Sequence, residues 1–516
     1  MKFDKELVKK IVISLTFGIL INCFVFQYIF NCGYYCPNNA SKVYLYTLIN
    51  IPILSIMFFL NLLVMESKNK ILKIVSNIFF IVSTIFLIRA LQLFAGISLS
   101  KLHLYIKYLI FLSLILVFFF SFYKKRNLIQ FLLIIIFPFS VYSLKLHLNN
   151  SFVLLKNKNE VSKPVSSKTA GNRIIWLVFD ELDYNLIYDL RPDGICLEEL
   201  DKLKQNAFFA TKAMQPAGNT PESIMSYLSG KQIKELGSIK NYNELIYYTL
   251  NGEEGSTKKD ESIFSKANSR GYKSCAIGWQ LPFTNFFSEY LFQAKILNPS
   301  ESYFAKLKGN KNLFYFNRVI FSMCLSKLFD WCSSKAVLWR LNIMKDVYTK
   351  SISFLNDVIE QGQSDFIFYH VSIPHYPGIY NMKNSRFTKD ESSYYDNVVL
   401  VDKTISKIRK EIEKSSRKDE TILIITSDHW FRKDLWGSHP AFFPNNMNAL
   451  CAKREKPYIP VIIEMPKQQP LMYEKSFNAI IIHDIIVKIM DQKIHSYDEV
   501  ASYIKKQNSL NLSKEN

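Results

Sequence analysis

No segment of this 516-residue chain packs Lys and Arg densely with aromatics between them, although Lys and Arg number 64 against 44 Asp and Glu. The net charge of +20 therefore points away from nucleic acid and toward an anionic membrane surface. Among the 8 cysteines there is no CxxC pair and no Cys/His zinc-finger spacing, which excludes a zinc-finger module. Cysteine and glycine (16 residues) are too sparse for a small disulfide scaffold or a collagen-like repeat, and 49% apolar residues rule out wholesale disorder. The first long apolar run exceeds a signal-peptide core and has no small-residue cleavage site after it, so it is expected to stay as an anchor.

What is present divides into two halves. Five apolar stretches, each near the roughly 20 residues a spanning helix needs, run about Ile11–Phe30, Val43–Met65, Ile74–Gly96, Leu104–Phe122 and Leu128–Leu144. Lysines and arginines concentrate at the N-terminus and around Lys68–Lys73 and Lys124–Arg126, while the other two connections carry only Lys42 and Lys101. That alternation places the N-terminus inside and, after an odd number of spans, the remainder outside the cytoplasm. The intramembrane charges Arg89 and Lys107 are read either as functional or, since both lie near outer helix ends, in preference as snorkelling to the interface. The expected division is residues 1–147 as a transmembrane domain of about five helices, 148–171 as a linker, and 172–516 as an extracytoplasmic domain. An outside location permits disulfides, with Cys32–Cys36 and Cys324–Cys332 as candidates, whereas Cys275 falls in a predicted strand as a small hydrophobe.

In the soluble half, short β-rich runs alternate with helical patterns, the signature of an α/β sheet. The clearest strands are Ile174–Phe179, Lys273–Ile277, Phe366–Val371 and Thr421–Thr426, and the helices expected are Asn397–Lys414 and Phe477–Met490. Asp180 and Glu181 directly follow the first strand, His375 follows the third, and Asp428 and His429 follow the fourth. Ligands of open α/β sheets bind at the carboxyl ends of strands. One such Asp would be a helix cap; three strands delivering carboxylates and imidazoles to one edge suggest a metal or acid–base site, and that donor mix suits Zn²⁺ or Mn²⁺ better than Ca²⁺. In Gly218–Gly230, Thr220 stands at a helix N-terminus with Pro221 next, either as an ordinary N-cap or as a nucleophile beside an anion-binding helix end. The aromatic-rich stretch Phe286–Lys345, with Trp331 and Trp339, is read either as a packed insertion or as a membrane-resting or donor-lining segment.

Taken in order, IIWLVFDE, GNTPESIMSYLSG, GYKSCAIGW, HVSIPHYP, YYDNVVLVDKTI, ITSDH, YIPVIIEMP and IIIHDIIVKIM span most of Arg173–Gln492. This series resembles the alkaline phosphatase superfamily in its sulfatase-like branch. With five N-terminal spans, the architecture resembles the lipid A phosphoethanolamine transferases and lipoteichoic acid synthase. The resemblance implies an alkaline-phosphatase-like sheet sandwiched by helices after an all-α membrane domain. It implies one principal divalent metal held by Asp180, Thr220, Asp428 and His429, with the first-strand ligand being Asp180 alone or Asp180 with Glu181. Thr220 would attack phosphorus, His375 would contact the transferred or leaving group, and His439 is a looser match to a second such histidine. Asp183 is expected to cap. Trp430 stands where relatives have Gly after the SDH string, so the loop there should differ. The string Thr220-Pro-Glu-Ser-Ile lacks the Cys or Ser, the correctly placed Pro and the Arg of a C/S-x-P-x-R sequence, which disfavours a formylglycine sulfatase.

The expectation is a metal-dependent inner-membrane transferase. It would move a phosphoethanolamine- or phosphoglycerol-type group from a lipid donor to an envelope glycan or glycolipid through a phospho-threonine. A hydrolase of phosphate or sulfate esters is the alternative, and a non-catalytic envelope scaffold the third reading.

Overall fold

The computed structural model describes residues 4–31, 40–64, 66–72, 74–76, 137–138, 141, 171–240, 243–297, 330–388, 392–433, 436, 447–454 and 456–512. The chain separates into two compact units, one of residues 1–158 and 303–336, the other of residues 159–302 and 337–516.

In the first unit, helices run over Lys5–Asn31 and Ala40–Val64. Among the described residues no helix is long and apolar enough to cross a membrane, so the five-span domain read from the sequence is not established by the structure. The expected spans Leu104–Phe122 and most of Ile74–Gly96 and Leu128–Leu144 lie outside the described residues, as do the linker 148–170, the Cys32–Cys36 pair and Cys324.

The second unit is built on a nine-stranded mixed sheet. In chain order its first strands are β1 (Arg173–Asp180) and β2 (Phe208–Met214). Next come β3 (Ile233–Lys240), β4 (Glu244–Thr249) and β5 (Glu254–Ser256), which form a separate three-stranded sheet. The main sheet continues with β6 (Ser274–Gly278), β7 (Leu291–Ile296) and β8 (Phe366–Pro374). A two-stranded hairpin of β9 (Tyr380–Asn381) and β10 (Arg386–Phe387) intervenes. The last strands are β11 (Thr421–Ser427), β12 (Ile459–Glu464), β13 (Leu471–Tyr473) and β14 (Phe477–Asn478). The order across the sheet is β13-β2-β12-β11-β1-β8-β6-β7, with β14 beside β2.

The centre of that sheet is parallel: β1 pairs with β11 on one side and β8 on the other, and β8 with β6. All residues of β1, β8 and β11 are buried, which is why these strands read as unbroken apolar runs rather than alternating ones. Parallel pairing also puts the three carboxyl ends at one edge of the sheet. The expected strands are found, with Lys273–Ile277 displaced by one residue to Ser274–Gly278.

The helix Tyr394–Lys414 opens three residues earlier than its apolar period suggests, because Ser393 and Asp396 form a capping box. Its buried face includes Val398, Val401, Ile405, Ile408 and Ile412, as the spacing predicts. The helix expected over Phe477–Met490 begins only at Ile482. Phe477–Asn478 pair with β2 instead, and the Asn478 side chain takes the N–H of Ile480, which starts a 3-10 turn.

Candidate active site

The three parallel strand ends are locked to one another before any functional side chain is considered. Asp428 N–H donates to the carbonyl of Phe179 (3.0 Å), and Leu182 N–H donates to Ser427 Oγ (2.8 Å). The Ser427 hydroxyl in turn lies 2.9 Å from Phe179 O and 2.8 Å from His429 O. These bonds fix the turns that follow β1 and β11 against each other, and Asp180, Asp428 and His429 sit at those strand ends.

Asp180, Asp428 and His429 converge with ligand atoms within 4.8 Å of one another, all buried. Asp428 Oδ1 accepts from the N–H groups of Glu181 (3.1 Å) and His429 (2.7 Å), so its other oxygen faces inward, 3.3 Å from His429 Nε2. His429 Nδ1 lies 2.8 Å from the carbonyl of Trp430. A carbonyl only accepts, so Nδ1 carries the proton and Nε2 presents its lone pair to the site. Trp430 adopts none of the left-handed backbone angles of this chain, so no glycine is required at that place, and its N–H is held by Gln215 Oε1 at 3.1 Å.

Thr220 is brought to the same point from the other side. It opens the helix Thr220–Ser229, with Asn219 as N-cap and Pro221 in the first turn. Its Oγ1 lies 3.0 Å from His429 Nε2 and is buried. With Nδ1 donating to a carbonyl, the threonine hydroxyl is the donor in this pair. The helix is pinned to β11 by Tyr227, whose hydroxyl donates to the carbonyl of Ser427 at 2.9 Å. It ends at Gly230, where φ is +70° and an added Cβ would press on the His483 ring.

His370 is a member of the site that sequence reasoning passed over. It sits inside β8, fully buried, with Nε2 3.5 Å from Asp180 Oδ2. Its Nδ1 faces the Trp279 carbonyl at 3.3 Å, the same device that orients His429. Burial lowers its pKa to about 4, so the ring is neutral near pH 7. The only signal in the sequence was an imidazole interrupting an otherwise apolar run.

His375 lies beyond the end of β8, buried, with Nδ1 2.6 Å from the carbonyl of Tyr376. Trp279 packs against both imidazoles, its ring 5.1 Å from His375 and 6.1 Å from His370. The loop holding His375 is clamped by Asn397. That side chain accepts from Ile379 N–H (2.8 Å) and donates toward the carbonyls of Pro374, His375 and Pro377 (3.2–3.3 Å).

Glu181 is not part of the three-residue cluster. Its φ is +70°, and both carboxylate oxygens are engaged, one by Arg432 Nε (2.9 Å) and the other by Trp436 Nε1 (2.8 Å). Asp183 accepts from the N–H groups of Leu186 (3.1 Å) and Phe431 (3.2 Å) and pairs with Arg454, a capping role as expected. His439 lies outside the described residues.

The donor chemistry fits a divalent cation. Both oxygens of Asp180, Asp428 Oδ2 and His370 Nε2 are buried without a hydrogen-bond partner among the described residues. Burial, and next to it the charge of Asp428, holds the Asp180 carboxyl well above the usual range. Two buried carboxylates facing each other without a donor are costly, and a cation bound between them removes that cost.

The family model described as Sulfatase matches residues 173–491, more than half of the chain. No curated protein matches the sequence significantly. Among solved structures, a protein in the alkaline phosphatase superfamily from Vibrio parahaemolyticus is 16% identical, with 64% of this chain and 68% of that one covered at a TM-score of 0.37. The lipoteichoic acid synthase LtaP from Listeria monocytogenes is 13% identical, covering 66% and 77% at a TM-score of 0.39. The PsFucS1 sulfatase from Pseudoalteromonas sp. is 14% identical, covering 62% and 67% at a TM-score of 0.40.

Proposed function

The chain belongs to the sulfatase family of enzymes acting on phosphate or sulfate esters, and from that premise we propose that it is a metal-dependent transferase with Thr220 as its nucleophile. The group moved is a phospho-head-group of the phosphoethanolamine or phosphoglycerol type. A lipid is the donor and an envelope glycan or glycolipid the acceptor. One observation carries this reading: a buried threonine hydroxyl at a helix N-terminus, 3.0 Å from the Nε2 of a site histidine, beside two buried carboxylates with unpartnered oxygens.

Asp180, Asp428, His429 and Thr220 would hold the metal, with Zn²⁺ or Mn²⁺ favoured by the mix of carboxylate and imidazole. When bound, the metal supplies charge neutralisation for the phosphoryl oxygens and a lowered hydroxyl pKa. In the first step a bond forms between Thr220 Oγ1 and phosphorus, and the bond from phosphorus to the lipid alcohol breaks. Thr220 loses its proton to water, and the departing alcohol oxygen gains one from His375. His375, whose Nδ1 lies against the Tyr376 carbonyl, is suited to deliver that second proton. In the second step the acceptor hydroxyl gives its proton to His375 as it forms the new bond to phosphorus, the Thr220 ester breaks, and Thr220 regains a proton from water. The apolar stretches in residues 11–144 support a site tethered outside the cytoplasm, beside its lipid donor.

Peptide mass spectrometry of Thr220 in protein from its native membrane, with acceptor depleted, tests the reading. A phosphoethanolamine or phosphoglycerol adduct on Thr220, absent from Thr220→Ala, is the expected result. Release of the free head group at an undiminished rate without acceptor would instead favour the hydrolase, in which water takes the acceptor's place.

A further inference from the structure

A site that binds an ester anion has to answer for its own negative charge, and this one carries a surplus. Asp180, Glu181 and Asp428 are adjacent buried carboxylates. A divalent cation would cancel two of the three charges and leave a site that repels an anion. The remaining charge is met by Arg432, three residues beyond His429 in the loop after β11.

Among the described residues Arg432 is held at one corner only. Its Nε donates to Glu181 Oε1 at 2.9 Å, while among the described residues Nη1 and Nη2 make no hydrogen bond. The side chain is 32% exposed, whereas Glu181 is buried. The tether itself is immobilised from every side. Glu181 N–H donates to Asp428 Oδ1 (3.1 Å), its carbonyl accepts from Tyr394 Oη (2.9 Å), and its second carboxylate oxygen accepts from Trp436 Nε1 (2.8 Å). The backbone turns there through φ +70°, which swings the side chain of Glu181 away from the cluster that Asp180 enters. The charges of Asp180 and Asp428 also act on the Arg432 guanidinium, which places it in the field of the cluster. Were Arg432 only a counter-ion for Glu181, a buried bidentate pair would be the economical arrangement. Instead one nitrogen is spent on the carboxylate and the fork is left open.

We propose that Arg432 is the anion-binding side chain of this site: Glu181 positions it through Nε, and its two Nη groups take the non-bridging oxygens of the phosphate or sulfate ester. The assignment rests on the ester-transfer reading above and adds to it the group that recognises the substrate's charge. Glu181 is then a positioning residue rather than a metal ligand.

The test is calorimetric titration of the full-length, Mn²⁺-loaded protein with inorganic phosphate, with metal content measured on each sample. Charge-assisted hydrogen bonds of this kind correspond to roughly 10–100-fold in affinity. Arg432→Gln should weaken phosphate by that factor at unchanged metal content, and Arg432→Lys by less. Glu181→Gln, which frees the guanidinium, should weaken phosphate severalfold. The double variant Glu181→Gln/Arg432→Gln should bind no worse than Arg432→Gln alone, since the two act as one unit. The double variant also removes the unpaired buried carboxylate, so a folding defect in Arg432→Gln does not obscure the result. Phosphate affinity within twofold of wild type in the double variant, with only the melting temperature changed in the singles, would reduce Arg432 to a counter-ion and overturn the proposal. No phosphate binding by the wild type would overturn it as well. If the Thr220 adduct forms in wild type while Arg432→Gln binds phosphate normally, the transferase reading stands and only the Arg432 assignment falls.

Discussion

Asp180 shows most directly what this site gives up in stability. Its carboxylate is buried, with neither oxygen hydrogen-bonded among the described residues and with the charge of Asp428 beside it. Replacing it by Asn removes a desolvated charge and keeps the shape. Asp180→Asn should therefore stabilise the metal-free protein at neutral pH, by roughly 1–3 kcal/mol, while abolishing metal retention and activity. Thermal melts of both proteins after chelator treatment check the sign. A melting temperature below that of wild type would show that the charge is already compensated in the apo protein. Adding Mn²⁺ or Zn²⁺ at about 100 times its Kd should raise wild-type stability by about 2.7 kcal/mol and leave Asp180→Asn unmoved.

Among elements, the loop from Pro374 to Ile379 depends on a neighbour far along the chain. Asn397, on the first turn of the helix Tyr394–Lys414, bonds to backbone groups of four of its residues. Asn397→Ala leaves one N–H and up to three carbonyls without a partner in a buried place. It should cost about 2–3 kcal/mol of stability and lower kcat/KM at least tenfold by freeing His375. Melting temperature and steady-state kinetics measure the two effects separately. Gly378→Ala should act on the same loop, because an added Cβ there would overlap the Ser392 backbone.

The element scale also shows what could be read in the sequence. Buried strands announce themselves, since a strand covered on both faces has no reason to alternate, and the carboxylates and imidazoles after β1, β8 and β11 follow from the strands. Two things were not legible. His370 lies within a strand rather than after it, so its role depends on which neighbour β8 pairs with. Glu181 adjoins Asp180 in sequence, yet consecutive residues leaving a strand point to opposite sides. The residues that receive it, Arg432 and Trp436, lie 251 and 255 positions away.

For the molecule as a whole, acid should weaken the fold through buried imidazoles. Burial, with the Lys266 ammonium 3.0 Å from its Nε2, lowers the His483 pKa to about 4 from an ordinary 6.5. The unfolded chain then takes up the proton first, so the contribution of His483 is complete above pH 6.5 and is lost as pH falls toward 4. The loss is on the order of 3 kcal/mol. Asp183 and Asp402, pushed up to about 6 by burial, act in the opposite sense below that pH, because the folded state there holds the extra protons. Melting curves of wild type and His483→Gln between pH 7.5 and 5 should converge as pH falls. Parallel curves would show that this imidazole titrates in the folded protein as it does in the unfolded chain.

The hydrogen bond from Glu181 N–H to Asp428 spans 247 residues of sequence. At roughly 5–20 residues per second of synthesis, the strand bearing Asp180 precedes Asp428 by about 10–50 s. Thr220 also emerges well before the histidine it faces. For that interval the nascent chain holds the proposed nucleophile without the groups that would activate it. On that reading a polypeptide halted before residue 428 would be chemically silent, however well its first strands fold. The order of the residues along the chain would therefore delay the proposed chemistry until the central strands have closed, with no separate inhibitory segment required for that delay.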